Sequence, residues 1–140
     1  MAASCKSWWA MIVANASEAL LPARAARGLI PQNFSNIAWS VATLVYIDMP
    51  LLQALASAAI PKIQDATPQD LGNTAWAFAT LGIEHQPLCN AIAAASRRSI
   101  SAFESQGLGN TAWSFATLGM TNKPLSDAIA AAAIKQSTVL

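Results

Sequence analysis

The sequence predicts an all-α protein, a short α-solenoid of about three and a half 37-residue helical-hairpin repeats. Three observations support this prediction. The chain of 140 residues is 54% apolar and 11% charged, with a net charge of +1, which excludes a highly charged disordered chain and a strongly basic nucleic-acid tail. The same residue types recur every 37 positions. Within each copy, the apolar residues follow the spacing of one helix face.

Five residue types mark the period. The block Leu71–Trp76 also recurs unchanged as Leu108–Trp113. A single hairpin of this length cannot bury its apolar faces alone, so we expect the copies to stack on one another. The residues in register are Gln32, Gln69 and Gln106; Asn36, Asn73 and Asn110; Trp39, Trp76 and Trp113; Thr43, Thr80 and Thr117; and Pro50, Pro87 and Pro124.

We expect a single domain over residues 1–140. Residues 1–30 form an N-terminal helical half-repeat, and the three repeats span residues 31–67, 68–104 and 105–140. The first 28 residues carry three basic side chains and one acidic side chain, which faintly resembles an organelle transit peptide, but we prefer a retained first helix. The longest apolar run, residues 37–47, is too short for the roughly 20 residues that a membrane span needs.

The first helix of the second copy has a clear start signal, and two of the three copies have a stop signal. Thr67 can cap the second copy, Pro68 suits the first helical position, and Asp70 can complete a capping box. A left-handed glycine is expected to end the helix at Gly82 and Gly119, although the first copy has Val45 there. The residues predicted to form the buried face are Leu71, Ala75, Phe78 and Ala79.

The second helix of the middle repeat is predicted to open at Pro87, with Leu88, Ala91, Ile92, Ala95, Ser99 and Phe103 along one side. We expect Trp39, Trp76 and Trp113 to be mostly buried between the helices of their own repeat and the next one. Phe78 and Phe115 should join that core, with Val41 as the smaller substitute in the first copy.

Catalytic chemistry is not expected. His85 is the single histidine and lies in a turn, where Asp48 and Asn122 stand in the other copies. Cys89 aligns with Leu52 and Ser126, which favours a tolerated small residue over a nucleophile. The acidic residues are scattered and form no pair beside a base or metal ligand. We therefore predict no enzyme activity, no metal site, no cofactor and no small-molecule substrate.

A binding surface is suggested by positions that vary between the copies. On the first helices they are spaced i, i+4 and i+7, so each set lies on one stripe beside an asparagine common to all copies. Helical-repeat RNA readers present two or three side chains to each base in this way. The alternative is a solvated or neighbour-packed polar face. The candidates for base contact are Asn33, Asp70, Asn73, Thr74, Asn110, Thr111 and Ser114.

Basic residues recur near the ends of the second helices. Arg24, Arg98 and Lys135 are in register, and Arg97 lies alongside Arg98. We take Arg97, Arg98 and Lys135 as candidates for phosphate contacts. The alternative is that they offset the helix dipoles at the helix C-termini.

The block Leu71–Gly82, followed by Pro87 and Leu88, resembles the octotricopeptide repeats and the related helical repeats that accompany RAP domains in algal and protist organelle proteins. The resemblance covers about residues 30–140. It implies a helical-hairpin solenoid that binds single-stranded RNA in a chloroplast or mitochondrion and serves in RNA processing, RNA stability or translation.

The sequence thus leaves two functions open. The first is a non-catalytic module of the organellar RNA-binding type, acting inside a larger assembly. The second is a structural or assembly subunit of a large organellar complex, such as a ribosome or a photosynthetic or respiratory particle, which binds protein rather than RNA. High apolarity and near-neutral charge favour the second, and the repeat register with its family resemblance favours the first.

Overall fold

The computed structural model describes residues 28–138, and each regular element in that range is helical, which confirms the all-α prediction. The half-repeat proposed for residues 1–30 lies almost entirely outside the described residues, as does Arg24. No helix within residues 28–138 combines the length and apolarity needed to cross a bilayer. The helices are α1 (Pro31–Thr43), α2 (Met49–Ala59), α3 (Pro68–Thr80), α4 (Gln86–Arg98), α5 (Ser105–Thr117) and α6 (Lys123–Ser137), with 3-10 turns at Ile60–Asp65 and Ile100–Ala102.

The helices follow the sequence period. The first helices α1, α3 and α5 begin at residues 31, 68 and 105, and the second helices α2, α4 and α6 begin at residues 49, 86 and 123, so equivalent starts are 37 residues apart. Helix α3 packs against both α1 and α5, and α4 packs against both α2 and α6. The equivalent helices therefore lie next to one another in two rows.

The core lies between these two rows. Leu71 on α3 and Leu88 and Ile92 on α4 are almost completely buried. The predicted inner face of α3 is confirmed, because each of its four residues is buried. Phe78, Phe115 and Val41 are also buried, as expected. Helix α4 ends at Arg98, earlier than the apolar pattern suggested, and Phe103 reaches the core from beyond the Ile100–Ala102 turn.

Helix α3 begins and ends as its sequence predicts. At the start of α3, the Asp70 backbone N–H donates to Thr67 Oγ1 at 3.1 Å, and the Thr67 backbone N–H donates to Asp70 Oδ2 at 3.1 Å, which is a capping box. At the other end, the Ile83 N–H donates to the Phe78 carbonyl at 2.9 Å and the Gly82 N–H donates to the Ala79 carbonyl at 3.0 Å, the two bonds of a Schellman motif.

The second helices share a cap that the sequence analysis did not assign. The Leu51, Leu88 and Leu125 backbone N–H groups donate to a side chain three residues earlier in the chain, at 3.0, 3.2 and 3.0 Å. The acceptor atoms belong to Asp48, His85 and Asn122. His85 thus has a structural role, because its Nδ1 atom satisfies an N–H group at the start of α4.

The prediction that the three repeated tryptophans are core residues is wrong. Trp39 is 48% exposed and Trp113 is 49% exposed, while Trp76 packs only partly against the core. The physical reason is the helix face on which they lie. On α1 the buried residues are Phe34, Ser35, Ala38, Val41 and Ala42, and position 39 lies beside this face, about 100° around the helix from its centre. The repeated tryptophans therefore contribute to the surface of the protein.

Candidate nucleic-acid interface

Four residue types form the same stripe on each first helix. On α1 the stripe consists of Gln32, Asn36, Trp39 and Thr43, all of which are exposed. Their spacing of i, i+4, i+7 and i+11 places them on one helix face. Helices α3 and α5 carry the identical residues, of which Asn73, Trp76 and Asn110 are half-buried and the others exposed. We call these the outer stripes: Gln32, Asn36, Trp39 and Thr43; Gln69, Asn73, Trp76 and Thr80; and Gln106, Asn110, Trp113 and Thr117.

The outer stripes lie side by side because α1, α3 and α5 are neighbours. The ring centroids of Trp39 and Trp76 are 6.5 Å apart, and the ring planes are tilted by 31°. This separation falls within the range of 4.5–7 Å that is typical of interacting aromatic rings. The half-exposed rings at the surface could present faces on which other planar groups can stack.

The polar groups of the outer stripes are available for binding. Within residues 28–138, the side-chain amides of the stripe glutamines and asparagines form no hydrogen bond to another protein group. The side-chain hydrogen bonds in that range are formed by other residues. The asparagines common to all copies therefore do not tie neighbouring repeats together, which was the structural alternative. Each amide retains both a donor and an acceptor for a ligand.

A polar groove separates the outer stripes of α3 and α5. Its volume is about 380 Å³. Gln69 and Asn73 of α3 line one side and Gln106 and Asn110 of α5 line the other, while Gly107 is also among the lining residues. The groove is thus lined by four residues from two adjacent repeats whose side-chain amides are unpaired.

Four of the seven residues proposed for base contact are buried. Asp70 is bound within the capping box and to Ser35, as described below. The hydroxyls of Thr74, Thr111 and Ser114 donate to the backbone carbonyls of Asp70, Gly107 and Asn110, four residues earlier in their own helices. These hydroxyls cannot reach a ligand unless the neighbouring helices separate, so they are removed from our candidate surface. The buried four are Asp70, Thr74, Thr111 and Ser114.

The remaining three candidates are half-buried asparagines. Asn33 Oδ1 accepts a hydrogen bond from the Ile30 backbone N–H at 2.9 Å, so its carbonyl contributes to the start of α1. Asn73 and Asn110 line the groove. The structure therefore brings Asn73 and Asn110 together and assigns Asn33 a role in helix capping.

The basic candidates lie on the second helices. Arg97 and Arg98 are exposed in the last turn of α4, and Lys135 is exposed in the last turn of α6. They form no ion pair within the described part of the chain, where the Lys123–Asp127 pair spans 2.8 Å. Because they lie at helix C-termini, their positive charges also interact favourably with the helix dipoles.

The remaining reactive side chain, Cys89, is buried on α4. Burial raises the pKa of the Cys89 thiol, a backbone hydrogen bond with His85 opposes the rise, and Glu84 adds to it. A raised pKa reduces the thiolate that a nucleophile needs. Among the described residues, no group of three His, Cys, Asp or Glu side chains is arranged to hold a metal ion.

The sequence analysis did not include the stripe tryptophans and glutamines among the candidate binding residues. A signal was present: residues identical in all copies and spaced by four, three and four positions must share a helix face. The bulk of tryptophan favoured the core instead. No family model matches the sequence, and no curated protein matches it. Functional inference therefore depends on the geometry of the outer stripes and on the motif resemblance noted above.

Proposed function

We propose that the chain is a short α-solenoid that binds single-stranded RNA without catalysing a reaction, through the outer stripes of α1, α3 and α5. The observation that carries the proposal is the lateral alignment of identical stripes, each with an accessible tryptophan and two unpaired amides. Stacking of a base on an aromatic side chain contributes roughly 1–3 kcal/mol and tolerates any base. Single-stranded RNA offers unstacked bases whose edges side-chain amides can recognise.

The low net charge of the protein limits the electrostatic contribution to RNA binding. The net charge is +1, so the protein has little general attraction for phosphates. If Arg97, Arg98 and Lys135 contact three phosphates, the logarithm of the association constant should fall with the logarithm of salt concentration with a slope of about −2. A slope near zero would indicate that the three basic residues contact no phosphates.

The decisive experiment is a titration of a labelled ten-nucleotide RNA of mixed sequence at low salt, followed by fluorescence anisotropy. We expect the Trp113→Ala variant to bind roughly 5- to 150-fold more weakly, which corresponds to the loss of one stacking contact. Ile134→Ala is the matched control, since Ile134 is an exposed apolar residue on α6 outside the stripes. The absence of RNA binding by the parent protein, or equal losses in both variants, would contradict the proposal.

The motif resemblance supplies the cellular setting of the proposal. Octotricopeptide-like repeats imply work in a chloroplast or mitochondrion, in RNA processing, stability or translation. Imaging of the tagged chain in its source cells, together with sequencing of the RNA crosslinked to it, tests this setting. Localisation of the tagged chain to the cytosol would contradict the organellar setting. RNA binding itself is tested by the titration described above.

A second candidate function is supported by the surface of repeat 3 that faces away from repeat 2. Ala75, Ala79 and Ala93 are buried in the middle repeat, whereas their equivalents Ala112, Ala116 and Ala130 are exposed. Two mostly apolar grooves run along this side, between α5 and α6. An exposed repeat interface of this kind is suited to a helical protein partner, as expected for a structural subunit of a larger complex.

This alternative is tested by the association state of the purified chain. Sedimentation at micromolar concentration should show self-association or aggregation if the open apolar side requires a partner. Ala116→Glu should then restore a monomer, and Ala94→Glu, on the exposed side of α4, should not. A parent protein that is monodisperse and monomeric would count against the structural-subunit function.

A further inference from the structure

The groove between α3 and α5 differs from the equivalent boundary one repeat earlier. Between α1 and α3, the Ser35 hydroxyl donates to Asp70 Oδ1 at 3.0 Å, and both side chains are buried there. The positions 37 residues later are Gly72 and Gly107, which have no side chains to occupy that space. A Cβ atom added at Gly72 would lie 3.7 Å from Thr111 Oγ1 and 3.8 Å from the Gly107 carbonyl oxygen. The glycine pair thus lets the backbones of α3 and α5 approach closely beneath the groove.

The chemistry of the groove fits a neutral planar ring with a polar edge. Its volume of about 380 Å³ lies toward the small end of ligand pockets, which span roughly 300–1,000 Å³. Four neutral amides surround it, and the Glu104 carboxylate is the charged group among its lining residues. A carboxylate disfavours phosphate and accepts hydrogen bonds from amino groups, so the ligand group expected here is a base rather than the RNA backbone.

The amide side chains together with Glu104 fit adenine better than uracil. An asparagine or glutamine amide offers a donor and an acceptor side by side, which matches the acceptor nitrogen and the amino group on the adenine edge. Uracil can pair with an amide through its N3–H and O4 groups, but it has no exocyclic amino group to donate to Glu104. A bidentate contact of this kind contributes roughly 1–3 kcal/mol of discrimination, which corresponds to a 5- to 150-fold preference.

We propose that the groove bounded by Asn73 and Asn110 is an adenine-selective subsite. The assignment of single-stranded RNA as its natural ligand rests on the proposed function. The tryptophans of the outer stripes then give general stacking, and the groove selects the base at one position. Because the glycine pair occurs at the boundary between repeats 2 and 3, selection is expected at a single nucleotide rather than at each repeat.

The first test compares labelled RNAs of ten nucleotides that differ at one central position within an otherwise all-uridine sequence. We expect the RNA with a central adenine to bind 5- to 150-fold more tightly than the all-uridine RNA. Asn73→Ala and Asn110→Ala should each remove most of that preference, whereas Asn90→Ala, which removes an exposed asparagine on α4, should retain it. Equal binding of the two RNAs by the parent protein would overturn the proposal.

A second variant keeps the amides and alters the space between them. Gly72→Ser introduces the residue found at the equivalent position 35, and its Cβ would make only ordinary contacts. We expect it to reduce the adenine preference at least fivefold while leaving the circular-dichroism spectrum unchanged. Gly109→Ala is the control on α5, because a Cβ there meets nothing within 4 Å. A full adenine preference in Gly72→Ser would contradict placement of the base in the groove.

Titration with adenosine monophosphate separates this inference from the proposed function. Side-chain amide NMR signals of Asn73 and Asn110 should shift with adenosine monophosphate and not with uridine monophosphate. If RNA fails to bind but adenosine monophosphate shifts these signals, the proposed function is wrong and the adenine site stands as a nucleotide site. If neither ligand acts on the parent protein, the adenine site is overturned as well.

Discussion

The Ser35 hydroxyl donates a hydrogen bond of 3.0 Å to Asp70 Oδ1 across the boundary between repeats 1 and 2. The other carboxylate oxygen of Asp70 accepts from the Thr67 backbone N–H and completes the cap of α3. One buried carboxylate therefore joins the start of one first helix to the side of its neighbour. The cap fixes where α3 begins, and the bond to Ser35 fixes how α3 lies against α1.

Asp70→Ala should destabilise the protein by about 2.5–4 kcal/mol. The change removes half of the capping box, which typically contributes about 1 kcal/mol, and a hydrogen bond to a charged acceptor, which contributes about 1.5–3 kcal/mol. Urea unfolding measures the effect. Gln69→Ala, one residue earlier and exposed, is the control and should change the free energy of unfolding by less than about 0.5 kcal/mol. Equal effects of the two changes would argue against the role assigned to Asp70.

Val45→Gly should stabilise the protein by about 1 kcal/mol. Val45 has φ of 52° at the end of α1, where Gly82 and Gly119 have φ of 67° and 65° at the ends of α3 and α5. The left-handed region costs a side-chain-bearing residue roughly 1–2 kcal/mol, and Val45 is 72% exposed, so its removal loses little packing. The gain is reduced by the chain entropy of the new glycine.

Thermal unfolding of Val45→Gly should accordingly show a rise in Tm. The reverse change, Gly82→Val, is the matched variant and should lower Tm by a larger amount, because a strained conformation is introduced into the middle repeat. If Val45→Gly melted at a lower temperature than the parent, the left-handed conformation at position 45 would not be a source of strain.

These residues show which structural features could be predicted from sequence. Thr67, Asp70 and Gly82 act through bonds to backbone atoms within four residues, so the local sequence was enough to predict their roles. Trp39 was misplaced because the size of a side chain was weighed above the helix face it occupies. Whether a tryptophan is buried or exposed depends on which face of its helix packs against the neighbouring helices. The repeat pattern of the sequence alone does not contain that information.

The misassigned binding residues have a different physical explanation. Thr74, Thr111 and Ser114 vary between copies, and variation suggested freedom from packing. Small hydroxyl side chains can satisfy their hydrogen bonds on the carbonyl four residues earlier in the same helix, so they are tolerated within a helix–helix contact. The groove between α3 and α5 depends on two glycines in different repeats, and their proximity becomes visible only once the helices are packed.

Trp113→Ala should cost less stability than Phe78→Ala. Phe78 is 2% exposed, and removal of a buried phenylalanine ring typically costs about 3–5 kcal/mol. Trp113 is half-exposed, so we expect a cost of about 1–2 kcal/mol from the smaller apolar area that it buries. Urea unfolding of the two variants provides the comparison. A larger cost for Trp113→Ala would place that ring in the core after all.

Ser96→Ala should leave stability unchanged or raise it by about 1 kcal/mol. Ser96 Oγ is fully buried on α4 and, within residues 28–138, is the buried side-chain polar atom without a hydrogen-bond partner. Leaving such a group unpaired costs about 1–3 kcal/mol, and the equivalent residues Ala59 and Ala133 lack it. Ser99→Ala is a useful contrast, since Ser99 Oγ donates to the Ala95 carbonyl at 3.1 Å. A clear loss of stability in Ser96→Ala would reveal a partner for that hydroxyl.

The Cys89 thiol should make stability depend on alkaline pH. Burial raises the pKa of Cys89 in the folded protein, whereas in the unfolded chain the thiol ionises near its ordinary value of about 8.5. Below that pH the thiol is protonated in both states and its contribution is constant. Above it, the unfolded chain loses the proton first, so stability falls as pH rises toward the folded pKa. Cys89→Ser, which introduces the residue found at the equivalent position 126, removes this titration.

Urea unfolding of the parent and of Cys89→Ser at intervals between pH 7 and pH 10 measures the effect. The difference in the free energy of unfolding between the two proteins should be constant up to about pH 8 and then shift steadily in favour of the serine variant. The two proteins are identical at every other residue, so all other pH-dependent contributions cancel in the difference. A difference that stays constant to pH 10 would show that the Cys89 thiol ionises equally readily in the folded and unfolded chains, and is therefore open to solvent.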